Sequence, residues 1–146
     1  MTVLTAVVAN PHGYGRIVRG SSNGREIARI VEEKDASDAE RQIREINSGI
    51  YAFQLEGLFD AVRTIGAGNA QREYYLPDLV AIFRGAGRRV DTQTVAHPEE
   101  ILGINSRVEL AAVSGIVRQA KNQSLMAAGV TIEDPATTYI DTDVSI

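Results

Sequence analysis

The sequence predicts an α/β protein with a mixed sheet, and three observations carry that prediction. Short β-branched runs alternate with apolar residues at helical spacing along the 146-residue chain. The strand and helix signals follow the order β-β-β-α-β-α-α-β-α, which is not a strict βαβ repeat. A Gly-Ser-Ser-Asn-Gly stretch at 20–24 joins two of the runs and predicts a hairpin, so some strands pair antiparallel.

The predicted elements of the first half are short strands with one brief helix among them. The strand segments are rich in β-branched residues and are bounded by turn residues or charged runs. Ser37 opens the helix, because Glu40 three residues later completes a capping box. In chain order the elements are strands at Thr2–Ala9, Arg16–Arg19 and Glu26–Val31, a helix from Ser37 through Arg44, and a strand at Ile46–Phe53.

Helical spacing dominates the second half. Arg89–Ala96 alternates as a strand between helical segments. Beyond the last helix, Gly129–Ile132 and Tyr139–Ile146 are strand-like and fit one coil of a hexapeptide β-helix, a fold that needs about three or more repeats to bury a core. Helices are predicted over 55–65, from Pro77 to Gly85 or Gly87, and from about Ser106 to Ala128.

The composition is that of a globular protein with neither a nucleic-acid nor a membrane partner. The chain has 15 basic and 19 acidic residues, whereas a nucleic-acid-binding surface normally shows a basic excess. No apolar run approaches the roughly 20 residues of a membrane-spanning helix, and the first residues lack the basic segment of a signal peptide. The absence of cysteine excludes disulfides, thiolate nucleophiles and zinc–thiolate sites, and it fits a cytoplasmic location.

Three positions are candidates for binding a polyhydroxylated or phosphorylated ligand. Gly15 lets a backbone N–H approach a ligand without a Cβ in the way, although a plain turn before a strand also explains it. Glu32 ends a β run and can accept hydrogen bonds from sugar hydroxyls, but a solvated charge run is the competing interpretation. Asn47 begins an Asn-Ser-Gly step at the mouth of a strand, where its amide suits either a ligand or a turn cap.

Asn105 is the candidate metal ligand. Its amide oxygen suits Mg²⁺ or a phosphate contact, but Mg²⁺ usually has a carboxylate ligand as well, and no strong carboxylate partner is evident. A helix begins at this point, so an N-cap is the competing interpretation. His12 and His97 are isolated, and no Ser-His-Asp arrangement stands out, so nucleophilic catalysis is unsupported.

Five ordered motifs and a matching C-terminal segment carry a resemblance to a known family. They are Gly-Tyr-Gly-Arg-Ile, Ile-Val-Glu-Glu-Lys-Asp-Ala, Glu-Ile-Asn-Ser-Gly-Ile-Tyr, Asn-Ala-Gln-x-Glu-Tyr-Tyr-Leu-Pro-Asp, Gly-Ile-Asn-Ser-Arg and Gly-Val-Thr-Ile-Glu-Asp-Pro-Ala-Thr-Thr-Tyr-Ile-Asp. Together they resemble the bifunctional bacterial N-acetylglucosamine-1-phosphate uridylyltransferase / glucosamine-1-phosphate N-acetyltransferase. The resemblance implies that 1–107 is the C-terminal half of a Rossmann-like nucleotide-diphospho-sugar transferase domain, 108–128 a linker helix, and 129–146 the first coil of a left-handed β-helix.

The resemblance also implies a reaction and its participants. N-acetylglucosamine 1-phosphate attacks the α-phosphate of UTP, with Mg²⁺ as cofactor, and gives pyrophosphate and UDP-N-acetylglucosamine, a peptidoglycan precursor. Gly15, Glu32 and Asn47 would contact the N-acetylglucosamine part, Asn105 would bind Mg²⁺ and a phosphate oxygen, and no side chain is assigned as catalytic. Acetyl-coenzyme A and glucosamine 1-phosphate would belong to the acetyltransferase domain, and the full-length family forms homotrimers.

The departures from the family pattern lead to further expectations. The family's glycine-rich phosphate loop, uridine-reading residues and magnesium aspartate would precede Met1, and most of the β-helix would follow Ile146. We therefore expect the isolated chain to be inactive and its first strand to lack neighbours. Arg72 stands where the family usually has glycine, which predicts strain if that loop needs a positive φ. Two alternatives stay open: a non-catalytic sugar-nucleotide-binding module completed by another chain, and a related nucleotidyltransferase of different sugar or nucleotide specificity.

Overall fold

The computed structural model describes residues 1–20, 26–104 and 106–146. Most of the predicted hairpin turn at 20–24, and the candidate metal ligand Asn105, lie outside the described residues. The chain divides into two compact units, Met1–Glu100 and Ile101–Ile146.

The first unit is built on a mixed five-stranded sheet with strand order β3-β2-β4-β1-β5. β1 and β5 pair in parallel, whereas the other neighbours pair antiparallel. The predicted α/β class and the predicted order of elements are both confirmed. The strands are β1 Thr2–Val7, β2 Arg16–Arg19, β3 Ile27–Val31, β4 Glu45–Ala52 and β5 Asp91–Thr94.

β1 is an interior strand, so the expectation that it lacks neighbours is wrong. It lies between β4 and β5 and forms hydrogen-bonded ladders with both. Its burial explains this position, since Val3, Thr5 and Ala6 are fully buried. The outer strands of the sheet are instead β3 and β5.

Three short helices connect the strands of this unit: α1 Asp38–Arg41, α2 Leu58–Val62 and α3 Leu79–Gly85. The predicted capping box is confirmed, because the Ser37 side chain accepts from the Glu40 N–H and the Glu40 carboxylate accepts from the Ser37 N–H. Pro77 lies in a 3₁₀ turn, Leu76–Asp78, directly before α3. This agrees with the expectation of a proline in the first turn of that helix.

The hydrophobic core of this unit lies between one face of the sheet and α3. Leu79, Val80 and Phe83 from α3 belong to the same buried cluster as side chains from the sheet. The packing removes apolar surface from water and is the main force holding the short elements together. The remaining buried members of the cluster are Val3, Ile17, Ile27, Ile30, Ile65 and Val90.

The second unit contains one long helix, α4 Arg107–Ala127, as predicted. Ser106 caps it by accepting from the Glu109 N–H at 3.2 Å. The following segment forms turns, and the strand-like pieces expected at 129–132 and 139–146 are not strands among its described residues. A single coil has no adjacent coil to supply ladder hydrogen bonds, which accounts for this difference. The β-helix itself stays a prediction.

No helix among 1–20, 26–104 and 106–146 is both long and apolar enough to cross a membrane.

Candidate functional site

Three of the predicted site residues lie side by side across three neighbouring strands. Arg16 pairs with Val31 on one side and with Ile46 on the other. The antiparallel registers therefore place Gly15 between Glu32 and Asn47. The Asn47 N–H donates to the Gly15 carbonyl at 2.8 Å, which fixes one of these two contacts.

The close approach of Glu32 favours glycine at position 15. A Cβ at this position would lie 3.0 Å from Glu32 Oε1 and 3.2 Å from Ile30 Cγ2, both shorter than ordinary packing distances. The missing side chain leaves room for the Glu32 carboxyl group directly over the backbone of β2. This contact gives Gly15 a packing role beyond that of a plain turn, and its ligand contact stays a prediction.

Asn47 lies inside β4 rather than at its mouth, which corrects the expected position. The Asn-Ser-Gly step forms a β-bulge, because three residues of β1 (3–5) face five residues of β4 (47–51). Gly49 adopts φ +78° in this bulge, and its N–H donates to Asn47 Oδ1 at 3.1 Å. Asn47 thus caps this turn through Oδ1, and this bond leaves other hydrogen-bonding positions of its amide for the predicted ligand.

Tyr51 is a site residue that the sequence reasoning missed. Its hydroxyl accepts a hydrogen bond of 2.7 Å from Asn47 Nδ2. Burial, and to a lesser extent the nearby Glu32 charge, raises the pKa of Tyr51 to about 12 despite that bond. The signal was present in the Asn-Ser-Gly-Ile-Tyr motif, since a polar–glycine step inside a strand is typical of a bulge that realigns the next residues.

Glu32 lies in an acidic environment that favours its protonated form. Burial is the largest cause of its raised pKa, and the charges of Asp35 and Asp78 raise it further. Arg16 acts in the opposite direction but does not reverse the shift. The pKa of Asp78 is also raised, by burial and by Asp35. Protonation would make Glu32 a donor as well as an acceptor, so the hydrogen-bonding capacity of this carboxyl group depends on pH.

Glu33 holds the Gly-Tyr-Gly-Arg loop against β3. Its Oε2 accepts from the Gly13 N–H at 3.1 Å and from Arg16 Nη2 at 2.6 Å. Burial alone would raise the pKa of Glu33. The hydrogen bond and the charge of Arg16, together with the hydrogen bond from the Gly13 N–H, outweigh burial and lower this pKa. The Arg16 guanidinium is almost fully buried and also donates to the Tyr14 carbonyl. The Glu-Glu pair is therefore not simply a solvated charge run.

The chain matches curated proteins along its whole length. It is 51% identical over 146 residues to the bifunctional protein GlmU of Syntrophotalea carbinolica, which covers all of this chain and 31% of that protein. It is 48% identical over 145 residues to GlmU of Streptococcus thermophilus, covering 99% of this chain and 31% of the relative. GlmU of an Exiguobacterium species is 48% identical over 146 residues, covering 100% and 32%. No family model matches the chain.

This chain belongs to the GlmU family. It spans about a third of the length of the GlmU relatives that it matches. The motifs at Gly15, Glu32 and Asn47 therefore stand in a chain that matches part of GlmU along its whole length, and not in isolated matches to short patterns.

The loop that contains Arg72 has the positive φ that would strain a residue other than glycine at this position. Arg72 has φ +56° and is the one non-glycine residue with a positive φ in the described part of the chain. Asn69 closes the loop, because its side chain accepts from the Glu73 N–H and donates to the Glu73 carbonyl. The Ala70 N–H donates to Asp35 Oδ1 at 2.8 Å, which connects the loop to the acidic residues around Glu32.

Asn105, the predicted metal ligand, lies outside the described residues, and these offer no cluster of acidic or histidine side chains for a metal ion. Across 1–20, 26–104 and 106–146, no group of three or more acidic or histidine side chains is arranged to hold a metal ion. The Mg²⁺ contact of Asn105 stays a prediction. A surface cleft near the start of β1 is lined by Met1, Gln54, Phe83 and Arg88, and it includes none of the predicted site residues.

Proposed function

We propose that this chain supplies the sugar-binding part of a uridylyltransferase site that makes UDP-N-acetylglucosamine. The observation that carries the proposal is the row formed by Gly15, Glu32 and Asn47 across β3, β2 and β4. It brings a glycine without a side chain, a carboxyl group and an amide to one place. A polyhydroxylated sugar with an acetamido group needs that combination of donors and acceptors.

The proposed reaction needs positioning more than it needs a reactive side chain. A phosphate oxygen of N-acetylglucosamine 1-phosphate forms a bond to the α-phosphorus of UTP. The bond from that phosphorus to the oxygen bridging to the β-phosphate breaks, and pyrophosphate leaves. Because the attacking phosphate is already a nucleophile, holding the sugar in line with the α-phosphate accounts for the role of the site. A bound Mg²⁺ would neutralise phosphate charge, with Asn105 as its proposed ligand in this chain.

The isolated chain is proposed to bind without turnover. The binding row lies within the compact unit Met1–Glu100, which has its own hydrophobic core. The part of the chain that the structure describes contains no carboxylate cluster able to hold Mg²⁺. We expect no pyrophosphate release when the 146-residue chain is incubated with UTP, N-acetylglucosamine 1-phosphate and Mg²⁺. Release above the enzyme-free rate would contradict this part of the proposal.

Binding is tested by titrating the ¹⁵N-labelled chain with UDP-N-acetylglucosamine and recording backbone amide shifts. We expect the largest shifts at Gly15, Glu32 and Asn47, with weaker binding of UDP-glucose, which lacks the acetamido group. Asn47→Ala should weaken binding at least tenfold, since it removes a donor and an acceptor together. Asn10→Ala, an exposed asparagine outside the row, is the matched control. Absence of binding, or shifts centred on the cleft near Met1, would refute the proposed site.

A further inference from the structure

Tyr51 is placed next to Asn47 by the bulge in β4. Thr5 pairs with Asn47 and Val3 pairs with Tyr51, so both residues of β4 point to the same face of the sheet. The bulge is held by Ser48, whose hydroxyl donates to the Leu4 carbonyl at 2.7 Å and accepts from the Ile50 N–H at 3.1 Å. Tyr51 therefore lies about as far from Asn47 as a residue two positions away would in a regular strand. It becomes the nearest same-face neighbour of Asn47.

Two hydrogen bonds determine which way the Asn47 amide points. Its Oδ1 accepts from the Gly49 N–H, and its Nδ2 donates to the Tyr51 hydroxyl. A flipped amide would place NH₂ against the Gly49 N–H, two donors facing each other, and that arrangement is unfavourable. Asn47 is only 8% exposed, so water cannot readily compensate for a lost bond. After these two bonds, the amide still has one acceptor lone pair and one N–H for a ligand.

The Tyr51 ring is itself held in place. It packs against Phe53, with the ring centroids 5.8 Å apart, and against the hydrophobic core beneath α3. This packing fixes the ring, and the hydrogen bond from Asn47 Nδ2 fixes the hydroxyl beside the amide. Because its oxygen accepts from Asn47, its own hydrogen points away from Nδ2.

We propose that Tyr51 is a positioning residue for sugar recognition: it holds the Asn47 amide in the orientation that offers one donor and one acceptor to the acetamido group of the sugar nucleotide. This inference rests on the proposed function of the Gly15–Glu32–Asn47 row. Tyr51 acts through Asn47 and needs no contact with the ligand. Its removal should therefore matter only while Asn47 is present.

A double-mutant cycle on the 146-residue chain tests the inference. The variants are Tyr51→Phe, Asn47→Ala and their combination, with UDP-N-acetylglucosamine affinity as the measured quantity. We expect Tyr51→Phe to weaken binding about tenfold, the loss of one oriented hydrogen bond, and to add nothing in the Asn47→Ala background. Tyr139→Phe, an exposed tyrosine in the other unit, is the control. Unchanged affinity, or fully additive losses, would overturn the role of Tyr51.

A second measurement tests the effect of Tyr51 on the Asn47 amide in the absence of a ligand. The two side-chain NH₂ protons of Asn47 are observed by ¹⁵N NMR in the free protein. In Tyr51→Phe we expect them to shift and to exchange faster with water, while backbone shifts in β3 and β5 stay unchanged. Unaltered Asn47 side-chain resonances would refute the positioning role. If the parent chain does not bind UDP-N-acetylglucosamine but these resonances respond, the proposed function fails and the Asn47–Tyr51 coupling stands.

Discussion

Replacing Arg72 by glycine should stabilise the first unit, because Arg72 is held at φ +56°. A left-handed conformation costs an L-residue about 1–2 kcal/mol, and glycine avoids that cost. Glycine also gives the unfolded chain more conformational entropy, which lowers the free energy of unfolding by about 0.4–1 kcal/mol and opposes the gain. We therefore expect Arg72→Gly to raise the free energy of unfolding by about 0.8 kcal/mol.

The hydrogen bonds of the loop indicate that glycine would keep the same conformation. Asn69 accepts from and donates to the backbone of Glu73, and the Ala70 N–H donates to Asp35. None of these bonds uses the Arg72 side chain, which is exposed. The substitution should thus leave the loop closed and change only the cost of its backbone conformation.

Thermal unfolding followed by near-ultraviolet circular dichroism measures the effect. For a unit of about 100 residues, a change of 0.8 kcal/mol corresponds to an increase in Tm of about 3–6 °C. Arg72→Ala is the matched control, since alanine removes the long charged side chain but keeps the Cβ that makes positive φ costly. Its Tm should stay close to that of the parent chain. If Arg72→Ala stabilised as much as Arg72→Gly, loss of the arginine side chain would be the cause and the strain argument would be refuted.

Three further substitutions test the site and the second unit. Gly15→Ala should lower the free energy of unfolding by about 1 kcal/mol and weaken sugar-nucleotide binding, because its Cβ would lie 3.0 Å from Glu32 Oε1. Gly66→Ala, where a Cβ meets open space, is the control. Equal effects of the two substitutions would contradict the close contact. Glu32→Gln should raise Tm at pH 7, since a raised pKa means that the folded state disfavours the charged carboxylate. This gain should shrink as pH falls toward 4.5 and disappear below it. Glu133→Gln, at an exposed glutamate, is the control, and an equal gain there would contradict the burial argument. Asn122→Ala should destabilise the second unit by about 2 kcal/mol, because Nδ2 of this buried residue donates to the Pro135 and Thr138 carbonyls at 2.8 and 2.9 Å. Hydrogen exchange around 135–140 should then accelerate, and exposed Gln123→Ala should leave it unchanged.

The sequence predicted the class and order of the elements because those depend on local patterns. β-Branched runs, helical spacing and the capping box at Ser37 identified the strands and α-helices that the described residues form. The helix expected from Leu55 is shorter, beginning at Leu58, since Leu55 is largely exposed and forms a turn in which its carbonyl accepts from the Leu58 N–H. Helical spacing alone cannot distinguish such a turn from the first turn of a helix.

Pairing partners were harder to predict, because they depend on residues far apart in sequence. β1 was expected to lack neighbours, yet β5, which follows it by more than 80 residues, pairs with it in parallel. Thr5 connects these strands further, since its hydroxyl bonds to Thr94 Oγ1 and to Glu45 on β4. Nothing in the local pattern of β1 indicates which strands will lie on either side of it.

The site depends on register, and the register of β2 against its neighbours is what brings the candidate residues together. A slip of one residue would turn Asn47 to the opposite face of the sheet, away from Gly15 and Glu32. Two features of the sequence oppose such a slip: the Glu33 carboxylate, which binds both Gly13 and Arg16, and the bulge after Asn47. Without the bulge, residue 49 would be the next same-face neighbour of Asn47 and, being glycine, would offer no hydroxyl to its amide. The bulge at the Asn-Ser-Gly step therefore aligns Tyr51 with Asn47. The hydrogen bonds that this alignment permits determine the orientation of the Asn47 amide.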